Sequence, residues 1–567
     1  MDYKSVARKW ALYNRMKYDK LDLGSIISKV VAELPEIKKN IREIIPEIKK
    51  IVIDIQKLSK EEAIEILERE FPNMLQERKK ETRKGLPPLP KAEKGKVKTR
   101  FAPNPSGYLH MGHARAIVLN YEYARMYNGI FVVRLEDTDP KVKKPVLEAY
   151  ENIKEDVEWL IEDKVDEFYI QSERLEIYYD YARRLIEMEK AYVDLCNHGK
   201  IAELRRRGEY CEHRNMPVEW HLEQWDKMLE GGYDEGQAVL RIKTDLHPNP
   251  SVRDWIAFRI VNPEKNPHPW LEYKYGENYA KKFWVWPTYN FAVAIDDHLM
   301  GLTHIFRMKE HEVNTIKQRY IYKYFKWKSP VIINYGAFIV RDMPLHKSEI
   351  RRLIEAGKVE GWCDPFLPTL CGLRRRGILP KAIKKYIIEV GPNPADVVVN
   401  WEKIYRYNRE IIDNQSKRLF FVEDPIRVFI ENLPDNLELK IKNHPDIDLG
   451  CRNFKISKPY VYIEKGDLKY KYIRLMEGFN IELISVGDNI TAKYIDNSLD
   501  TAKKIGAKIV QWVPEEYAVK ITVWKSDGRI KGIGEKYINE IKDGEIVHFI
   551  RYGFLKREKE HFIYMHK

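Results

Sequence analysis

The segment 100–120 carries the densest set of side chains that could bind a phosphate. The turn APNPSG at 102–107 leads into His110, Gly112 and His113, after which apolar residues follow helical spacing. Two imidazoles would therefore lie beside free backbone N–H groups at a helix N-terminus, where negative charge is stabilised. This arrangement predicts an anion site suited to a triphosphate. Half of a metal site and two ordinary surface histidines are the alternatives that these residues leave open.

A second candidate site consists of two Cys-x-His pairs. Cys196 and His198 form the first pair, Cys211 and His213 form the second, and twelve residues separate the pairs. Two thiolates and two imidazoles suit a tetrahedral Zn²⁺ ion. Such an ion would have a structural role, because four protein ligands leave no open position for chemistry. The alternative is two unrelated thiols, since a gap of one residue strains chelation.

We call residues 102–113 the histidine turn. The sequence pattern around it indicates the helices and strands that would position it. Helical spacing from about Gly112 and β-branched residues over Ile130–Leu135 predict a strand–helix–strand unit. After about residue 420 the sequence changes to short alternating runs, such as YVYIEKG and AVKITVW, broken by Gly, Asp and Asn. Such runs are typical of antiparallel barrels or sandwiches. We therefore expect an α/β core followed by a β-rich tail.

The amino-terminal part has a different pattern. Mixed three- and four-residue apolar spacing predicts a small helical module over 24–82, interrupted at Pro35 and Pro46. The Pro- and Lys-rich stretch 85–99 is typical of an exposed linker. A domain boundary is therefore expected near residue 95.

Length, composition and charge limit the class of protein. The 567 residues are 44% apolar and 33% charged, which is typical of a folded chain with several domains. No apolar run approaches the roughly 18 residues that span a bilayer, and the first residues lack the apolar core of a secretory signal. Five cysteines are too few for a disulfide framework. A cytoplasmic protein without a membrane segment is therefore expected.

The balance of charges points to a polyanionic partner. Lys and Arg outnumber Asp and Glu by 99 to 86, which gives a net charge of +13. Residues 1–99 alone hold 24 basic and 16 acidic residues. Nucleic acid is the leading partner, and ordinary solvated lysines are the alternative. The segment 1–90 is expected to be an appendage that binds RNA or protein.

The string RFAPNPSGYLHMGHARA at 100–116 resembles the ATP-binding signature of class I aminoacyl-tRNA synthetases, and its flanks resemble archaeal-type members of the glutamyl/glutaminyl branch. Further strings are similar to that branch in the same order, from about residue 95 to the carboxyl terminus. They are RLEDTDPKVKKP at 134–145, WPTYNFAVAIDDHLMGLTHIFR at 286–307, HEVNTIKQRYIYKYF at 311–325, VEGWCDPFLPTLCGLRRRGI at 359–378, KRLFFVEDP at 417–425 and AKIVQWVPEEYAV at 507–519.

The resemblance implies a glutamate–tRNA ligase. Such an enzyme uses Mg²⁺-bound ATP to convert glutamate to glutamyl-adenylate, and then transfers the glutamyl group to the terminal ribose of tRNA(Glu). The first step needs positioning and charge neutralisation rather than a protein nucleophile. Charging of tRNA(Gln) as well is an open alternative. Two other readings compete, a glutaminyl-tRNA synthetase and a catalytically weakened paralogue that still binds tRNA.

The resemblance also assigns groups that bind ATP. His110 and His113 would contact the ATP phosphates, and Gly112 would let the adenine lie close to the backbone. The second signature of the family is a loop whose lysines and serine hold the triphosphate, and it corresponds to 345–351 here.

In this second loop, Glu349 stands where the family has its principal lysine. A carboxylate would repel a triphosphate, so we expect Lys347 to take over that role, with Ser348 beside it. The alternative is a weakened loop.

For the amino acid, the resemblance implies a pocket built on guanidinium groups. Arg100 and Arg307 would meet the carboxylates of glutamate, because the guanidinium fork matches carboxylate geometry. Glu136 would hold the α-ammonium group, and Tyr289 would line the pocket. Arg307 favours glutamate over glutamine, because a neutral amide leaves a buried guanidinium without a charged partner.

Other positions near the site differ from the pattern of the family. They are Asn290 for an aspartate, Ala294 for a proline, Met308 for a glycine, Cys363 for an acidic residue and Cys371 for a basic residue.

The expected fold is multidomain, with an α/β Rossmann-like class I catalytic core, an acceptor-end insertion, a helical connecting domain, β-barrels and an N-terminal helical appendage. The expected bounds are 1–90 for the appendage, 96–172 and 285–340 for the two halves of the core, 173–284 for the insertion, 341–419 for the signature loop with the connecting helices, and 420–567 for the anticodon-binding barrels.

Overall fold

The computed structural model describes residues 2–17, 21–71, 85–341, 343–344 and 347–567. The chain divides into two compact units, Met1–Gly85 and Leu86–Lys567. Among the described residues, no helix combines the length and the apolar character needed to cross a bilayer.

The first unit is helical around its own apolar core. Val6, Ile26, Val30 and Ile48 are among the fully buried residues of that core. Its helices are α1 (Tyr3–Lys17), α2 (Leu23–Glu33), α3 (Ile41–Gln56) and α4 (Lys60–Glu70), with a 3-10 turn over Pro35–Asn40 before α3. The predicted interruption at Pro46 is wrong, because this proline lies inside α3. A proline there removes one helical hydrogen bond, and the buried face of α3 offsets that loss.

The first half of the core has the predicted strand–helix–strand order. Strand β2 has the predicted bounds and a buried face, since every residue after Ile130 is buried. The three strands are parallel and in the order β1-β2-β3. The elements are β1 (Lys98–Phe101), α5 (Met111–Met126), β2 (Ile130–Leu135), α6 (Leu147–Ile161) and β3 (Glu167–Ile170).

A four-stranded antiparallel sheet follows, in the order β4-β5-β6-β7. It has its own aromatic core, which includes Trp225, Phe258 and Trp286. The elements are α7 (Leu175–Glu187), β4 (Ala191–Asp194), α8 (His198–Arg207), α9 (Val218–Leu229), β5 (Val239–Ile242), β6 (Ile256–Ile260), α10 (Pro269–Tyr275), α11 (Glu277–Ala280) and β7 (Val285–Pro287).

The chain then returns to the parallel layer. The Thr303 N–H donates to the Lys98 carbonyl at 3.0 Å, which places β8 beside β1. Strands β8 and β9 are parallel. The elements are α12 (Tyr289–Leu299), β8 (His304–Met308), α13 (Glu312–Tyr324), β9 (Val331–Tyr335) and β10 (Phe338–Ile339).

Helices connect this layer to the tail. They are α14 (Lys347–Glu355), α15 (Leu370–Arg376), α16 (Pro380–Val390) and α17 (Trp401–Ile412), with β11 (Val397–Val398) paired to β10. Cys363, which precedes α15, forms a disulfide with Cys371, which lies within α15. The small number of cysteines therefore did not exclude a single local bridge.

The tail is β-rich, as predicted. It contains two seven-stranded sheets, in the orders β12-β25-β26-β27-β23-β24-β13 and β21-β18-β19-β20-β14-β17-β22, and the hairpin β15-β16. The predicted barrels are not closed, because the end strands of each sheet are not paired with each other. In the first sheet these end strands, β12 and β13, are separated in sequence only by Phe420.

The strands of the tail are β12 (Lys417–Leu419), β13 (Phe421–Val422), β14 (Pro425–Glu431), β15 (Leu437–Lys442), β16 (Cys451–Ile456), β17 (Tyr460–Glu464), β18 (Tyr472–Leu475), β19 (Asn480–Ser485), β20 (Thr491–Asp496), β21 (Lys508–Val510), β22 (Trp512–Pro514), β23 (Ala518–Lys525), β24 (Gly528–Glu535), β25 (Ile546–Phe549), β26 (Gly553–Glu558) and β27 (His561–His566), and helix α18 (Leu499–Lys504) precedes β21.

Candidate active site

The histidine turn caps helix α5 with its own imidazoles. Nδ1 of His110 accepts from the Gly112 N–H at 3.1 Å, and Nδ1 of His113 accepts from the His110 N–H at 3.2 Å. A nitrogen that accepts a hydrogen bond carries no proton, so the proton of each neutral ring lies on Nε2. The two ring centroids are 3.9 Å apart. The turn therefore brings two Nε2–H donors together at a helix N-terminus, as the sequence predicts.

The ring of His110 leaves no room for a side chain at position 112. A Cβ on Gly112 would lie 2.8 Å from Cε1 of His110. Desolvation lowers the pKa of His113 well below its ordinary value, and the proximity of His110 and of the Lys347 ammonium adds to that effect. His113 is therefore neutral near pH 7, and its Nε2–H is an uncharged hydrogen-bond donor.

Lys347 lies against the same turn. Its Nζ donates to Oγ of Ser106 at 2.8 Å, and a Cβ on Gly107 would come within 3.2 Å of its side chain. Burial, together with the charge of Lys143, lowers the pKa of Lys347 to about 8. The lysine that the sequence favours for the second signature is thus beside the histidine turn.

The next two residues of the second signature, Ser348 and Glu349, are exposed in the first turn of α14. Leu345 and His346 lie outside the described residues.

A cleft of about 500 Å³ opens beside this turn. Ala102 and Asn104 of the turn line it, as do Glu136 and Tyr289, which the sequence assigns to the amino acid. The full lining is Ala102, Asn104, Glu136, Thr138, Asp139, Lys143, Gln171, Arg259, Pro287, Thr288, Tyr289, His311 and Asn314. The cleft is large enough for a small ligand.

Arg100 belongs to a buried ion network under the cleft. Its Nε lies 3.2 Å from Oδ1 of Asp297, and Nη1 of Arg134 donates to the same oxygen at 2.8 Å. Nη2 of Arg134 also donates to Glu136 at 3.0 Å. Burial acts to raise the pKa of Asp297, but Arg100, Arg134 and Arg307 outweigh it and lower the pKa. Arg100 is therefore already charge-paired.

The guanidinium of Arg307, unlike that of Arg100, is hydrogen-bonded to neutral side chains. Only 4% of the residue is exposed, and its Nη1 donates to Oγ1 of Thr315 at 2.9 Å and to Oε1 of Gln318 at 3.0 Å. Its Nε and Nη2 are buried without a hydrogen-bond partner among the described residues. The nearest carboxylate oxygen, on Asp297, is 4.0 Å from Nη2. Burial lowers the pKa of this guanidinium. A buried cation with an open edge is costly unless an anion binds there.

The cysteine region also forms a cluster. Ligand atoms of Asp194, Cys196, Cys211 and His213 lie within 4.8 Å of one another. The two Sγ atoms are 3.3 Å apart, and they lie 3.4 and 3.3 Å from Nδ1 of His213. A tetrahedral site with Zn–S near about 2.3 Å and Zn–N near about 2.0 Å has S···N edges of about 3.5 Å and an S···S edge of about 3.8 Å, so the two S···N separations are close to it and the S···S separation is shorter.

One member of the predicted metal set is not described. The side chain of His198 lies outside the described part of the chain, and Asp194 joins the cluster. Its Oδ1 lies 3.2 Å from Sγ of Cys211, while Oδ2 accepts from Arg241 at 2.6 Å. The spacing Asp-x-Cys at the end of β4 was a signal that could have predicted this carboxylate. Asp297, Thr315 and Gln318 were also missed, because their roles depend on contacts between segments that are distant in sequence.

Comparison with known proteins identifies this architecture. Residues 96–414 match the family model for the catalytic domain of class I tRNA synthetases (E and Q), and residues 416–499 match the model for their anti-codon binding domain. The chain therefore has the catalytic and anticodon-binding domains of a class I aminoacyl-tRNA synthetase.

Relatives over nearly the full length narrow the family. The glutamate–tRNA ligase of Pyrococcus furiosus is 46% identical and is aligned over 99% of this chain and 98% of its own. The corresponding figures are 46%, 97% and 98% for that of Nanoarchaeum equitans, and 43%, 100% and 100% for that of Pyrobaculum aerophilum. The chain belongs to the archaeal glutamate–tRNA ligases. This confirms the expected enzyme, a glutamate–tRNA ligase.

Proposed function

We propose that the cleft binds glutamate and that the side-chain carboxylate reaches the unpartnered edge of Arg307, a buried residue behind the residues that line the cleft. Glu136 holds the α-ammonium group, Tyr289 lines the pocket, and Arg100 supplies positive charge at its base. The observation that carries this proposal is the buried Arg307, whose Nε and Nη2 have no hydrogen-bond partner among the described residues. A carboxylate fits that edge with two parallel hydrogen bonds, whereas the amide of glutamine does not neutralise it.

ATP, bound as its Mg²⁺ complex, occupies the neighbouring histidine turn. The Nε2–H groups of His110 and His113 and the ammonium of Lys347 face the triphosphate, Ser348 follows Lys347 in the first turn of α14, and the adenine packs near Gly112. A carboxylate oxygen of glutamate attacks the α-phosphorus, and pyrophosphate leaves. These donors stabilise the charge that develops on the phosphates during this step.

The adenylate then passes its glutamyl group to tRNA. A hydroxyl of the terminal ribose attacks the glutamyl carbonyl, and AMP leaves. We assign acceptor-end binding to 173–284, anticodon binding to 420–567, and RNA or protein binding to the appendage 1–90. The substrates are tRNA(Glu) and, as a second acceptor, tRNA(Gln), and the site of action is the cytoplasm.

Charging assays test this assignment. Purified tRNA(Glu) and tRNA(Gln) are each offered with ATP and either glutamate or glutamine. We expect glutamate on tRNA(Glu) and on tRNA(Gln), with glutamine at least about a hundredfold poorer in kcat/KM, because it leaves the Arg307 charge unpaired. Equal use of glutamine would contradict the role of Arg307, and uncharged tRNA(Gln) would remove the second acceptor.

The cysteine cluster holds a structural Zn²⁺ ion in this proposal. Cys196, Cys211 and His213 supply soft and imidazole ligands, Asp194 is the fourth ligand among the described side chains, and the His198 expected from the sequence stays a predicted ligand. The cluster ties β4 to the segment after α8, within the insertion assigned to the tRNA acceptor end.

Elemental analysis of protein purified without chelator is expected to give about one zinc per chain. The variant Cys211→Ser should lose the metal and unfold at a lower temperature. Cys451→Ser is the matched control, because Cys451 is a free and exposed thiol. Zinc below about a tenth of an equivalent, with Cys211→Ser as stable as the parent, would end this assignment.

A further inference from the structure

Two neutral side chains hold one end of the Arg307 guanidinium. Nη1 donates to the hydroxyl of Thr315 and to the amide oxygen of Gln318, both on helix α13. Thr315 also points its hydroxyl hydrogen at the carbonyl of His311, at 3.5 Å, so its lone pairs face the guanidinium. Both acceptors therefore bind the same nitrogen. The Nε/Nη2 edge, which can form a bidentate pair with a carboxylate, is left without a hydrogen-bond partner among the described residues.

A chain of amides fixes which atom of Gln318 faces Arg307. Nε2 of Gln318 donates to Oδ1 of Asn290 at 3.2 Å, so its Oε1 must point the other way. Nδ2 of Asn290 donates to Oδ1 of Asn314 at 3.1 Å. Nδ2 of Asn314 in turn lies 3.0 Å from Nδ1 of His311. Each amide thus sets the orientation of the next, from the rim of the cleft to Arg307.

The charge of this chain matters as much as its geometry. The groups that bond Nη1 are neutral, and Asn290 keeps the next position neutral as well. The closest carboxylate oxygen to the guanidinium is 4.0 Å away, on Asp297. A carboxylate at position 318 would pair with Arg307 and take over the charge that a glutamate substrate needs.

We propose that Thr315 and Gln318 are positioning residues for amino-acid specificity. They orient Arg307 so that its Nε/Nη2 edge meets the substrate carboxylate, and their neutrality keeps that edge selective for glutamate over glutamine. This inference rests on the proposed role of Arg307 in binding glutamate.

Steady-state aminoacylation of variants at Gln318 and Thr315 tests the inference. Gln318→Glu keeps the size and the acceptor but adds a charge. We expect the KM for glutamate to rise roughly tenfold or more. The value of kcat/KM for glutamate divided by that for glutamine should fall by a similar factor, and the KM for ATP should stay unchanged. Gln511→Glu is the matched control, because Gln511 is a buried glutamine of the tail. It should leave the ratio as in the parent.

The Thr315 pair separates positioning from packing. Thr315→Val keeps the shape and loses the acceptor, so the KM for glutamate should rise roughly tenfold. Thr315→Ser restores the hydroxyl and should recover most of that loss. This pair decides the matter if Gln318→Glu does not fold, as judged by thermal melting.

Arg307→Ala, measured in the same assays, distinguishes a failure of the proposed function of Arg307 from a failure of the positioning inference. If it leaves the KM for glutamate unchanged, the proposed function of Arg307 fails. If it raises that KM while Gln318→Glu and Thr315→Val change neither the KM nor the glutamate-to-glutamine ratio, the positioning inference alone is overturned. A rise of similar size in Thr315→Ser and Thr315→Val would also overturn it, because packing rather than the hydroxyl would then be responsible.

Discussion

At the scale of single residues, Lys347 is the residue that we propose in place of the family's lysine in the second signature. The sequence places Glu349 where a lysine would be expected, and in the structure that carboxylate is exposed in the first turn of α14. Lys347, two residues earlier, reaches Ser106 in the turn that carries the histidines. A flexible four-carbon side chain allows an ammonium group to reach one site from different backbone positions.

Removing this ammonium should slow adenylate formation. For Lys347→Ala we expect a loss of about a hundredfold or more in tRNA-dependent pyrophosphate exchange, as is typical when a preorganised charge contact to the transition state is removed. The affinity for tRNA should be nearly intact. Glu349→Lys should be neutral or faster, because it adds positive charge near the triphosphate. A fully active Lys347→Ala would show that other groups hold the phosphates.

The same lysine predicts a dependence on pH. Its pKa is lowered to about 8, so the ammonium of the free enzyme loses its proton as pH rises through that value. kcat/KM for ATP reports groups of the free enzyme. It should therefore fall above about pH 8, and this fall should be absent in Lys347→Ala. A profile that is flat to about pH 9.5 in the parent would contradict the assignment.

At the scale of elements, the loop closed by the disulfide supports the histidine turn. The Met111 N–H donates to the Pro368 carbonyl, and the Leu370 N–H donates to the Leu109 carbonyl, both at 2.9 Å. The ring of Trp362 stacks on Tyr108 at 5.4 Å. The loop thus contacts the chain on both sides of His110, and the Cys363–Cys371 bridge restricts its freedom.

Opening this bridge should destabilise the loop. Closing so short a loop contributes about 2–3 kcal/mol by the chain-entropy relation, so Cys363→Ser/Cys371→Ser should melt several degrees below the parent in calorimetry without reductant. A dithiol reductant should lower the parent to the same value and leave the double variant unchanged. Cys451→Ser is the control. Identical melting of the parent and the double variant would rule out a stabilising bridge.

Local elements could be predicted from the sequence, but their closure and contacts could not. Strand β2 and the start of α5 depend on β-branched residues and on the histidine turn, and both follow from local pattern. The tail alternates clearly enough to be assigned as β. Whether the end strands β12 and β13 pair with each other depends on the curvature of whole sheets, which alternation does not contain.

Some residues of the candidate site could likewise be predicted from the sequence, and others could not. His110 was predicted from the residues of its turn, and Lys347 and Arg307 were predicted from the resemblance to the family. Asp297 and Gln318 gain their roles only where α12 and α13 pack against the strands, so no local signal distinguishes them from other buried polar residues.

At the scale of the whole molecule, the tail is packed onto the connecting helices. Ile412, Phe554 and Met565 form a buried cluster, and Nδ2 of Asn408 lies 3.0 Å from Nε2 of His566. Glu558 of β26 accepts from Arg375 of α15 at 2.7 Å. Removing the tail from about residue 420 would therefore expose apolar surface on the catalytic half. Anticodon recognition is better tested by point variants than by that deletion.

The net charge of +13 predicts how tRNA binding responds to salt. Binding that neutralises several phosphates releases counterions, so the affinity for tRNA should fall at least about tenfold between 50 and 200 mM salt, linearly in a double-logarithmic plot. Filter binding or fluorescence titration measures this slope. An affinity that does not change over this range would show that the basic excess does not contact the RNA backbone.

The central claim is that Arg307 binds the side-chain carboxylate of glutamate, and the KM for glutamate of folded Arg307→Ala tests it most directly. We predict a rise equivalent to about 2–4 kcal/mol, because a buried charged hydrogen-bond partner is lost. The KM for ATP and the melting temperature should remain near those of the parent. An unchanged KM for glutamate in the folded variant would contradict the claim.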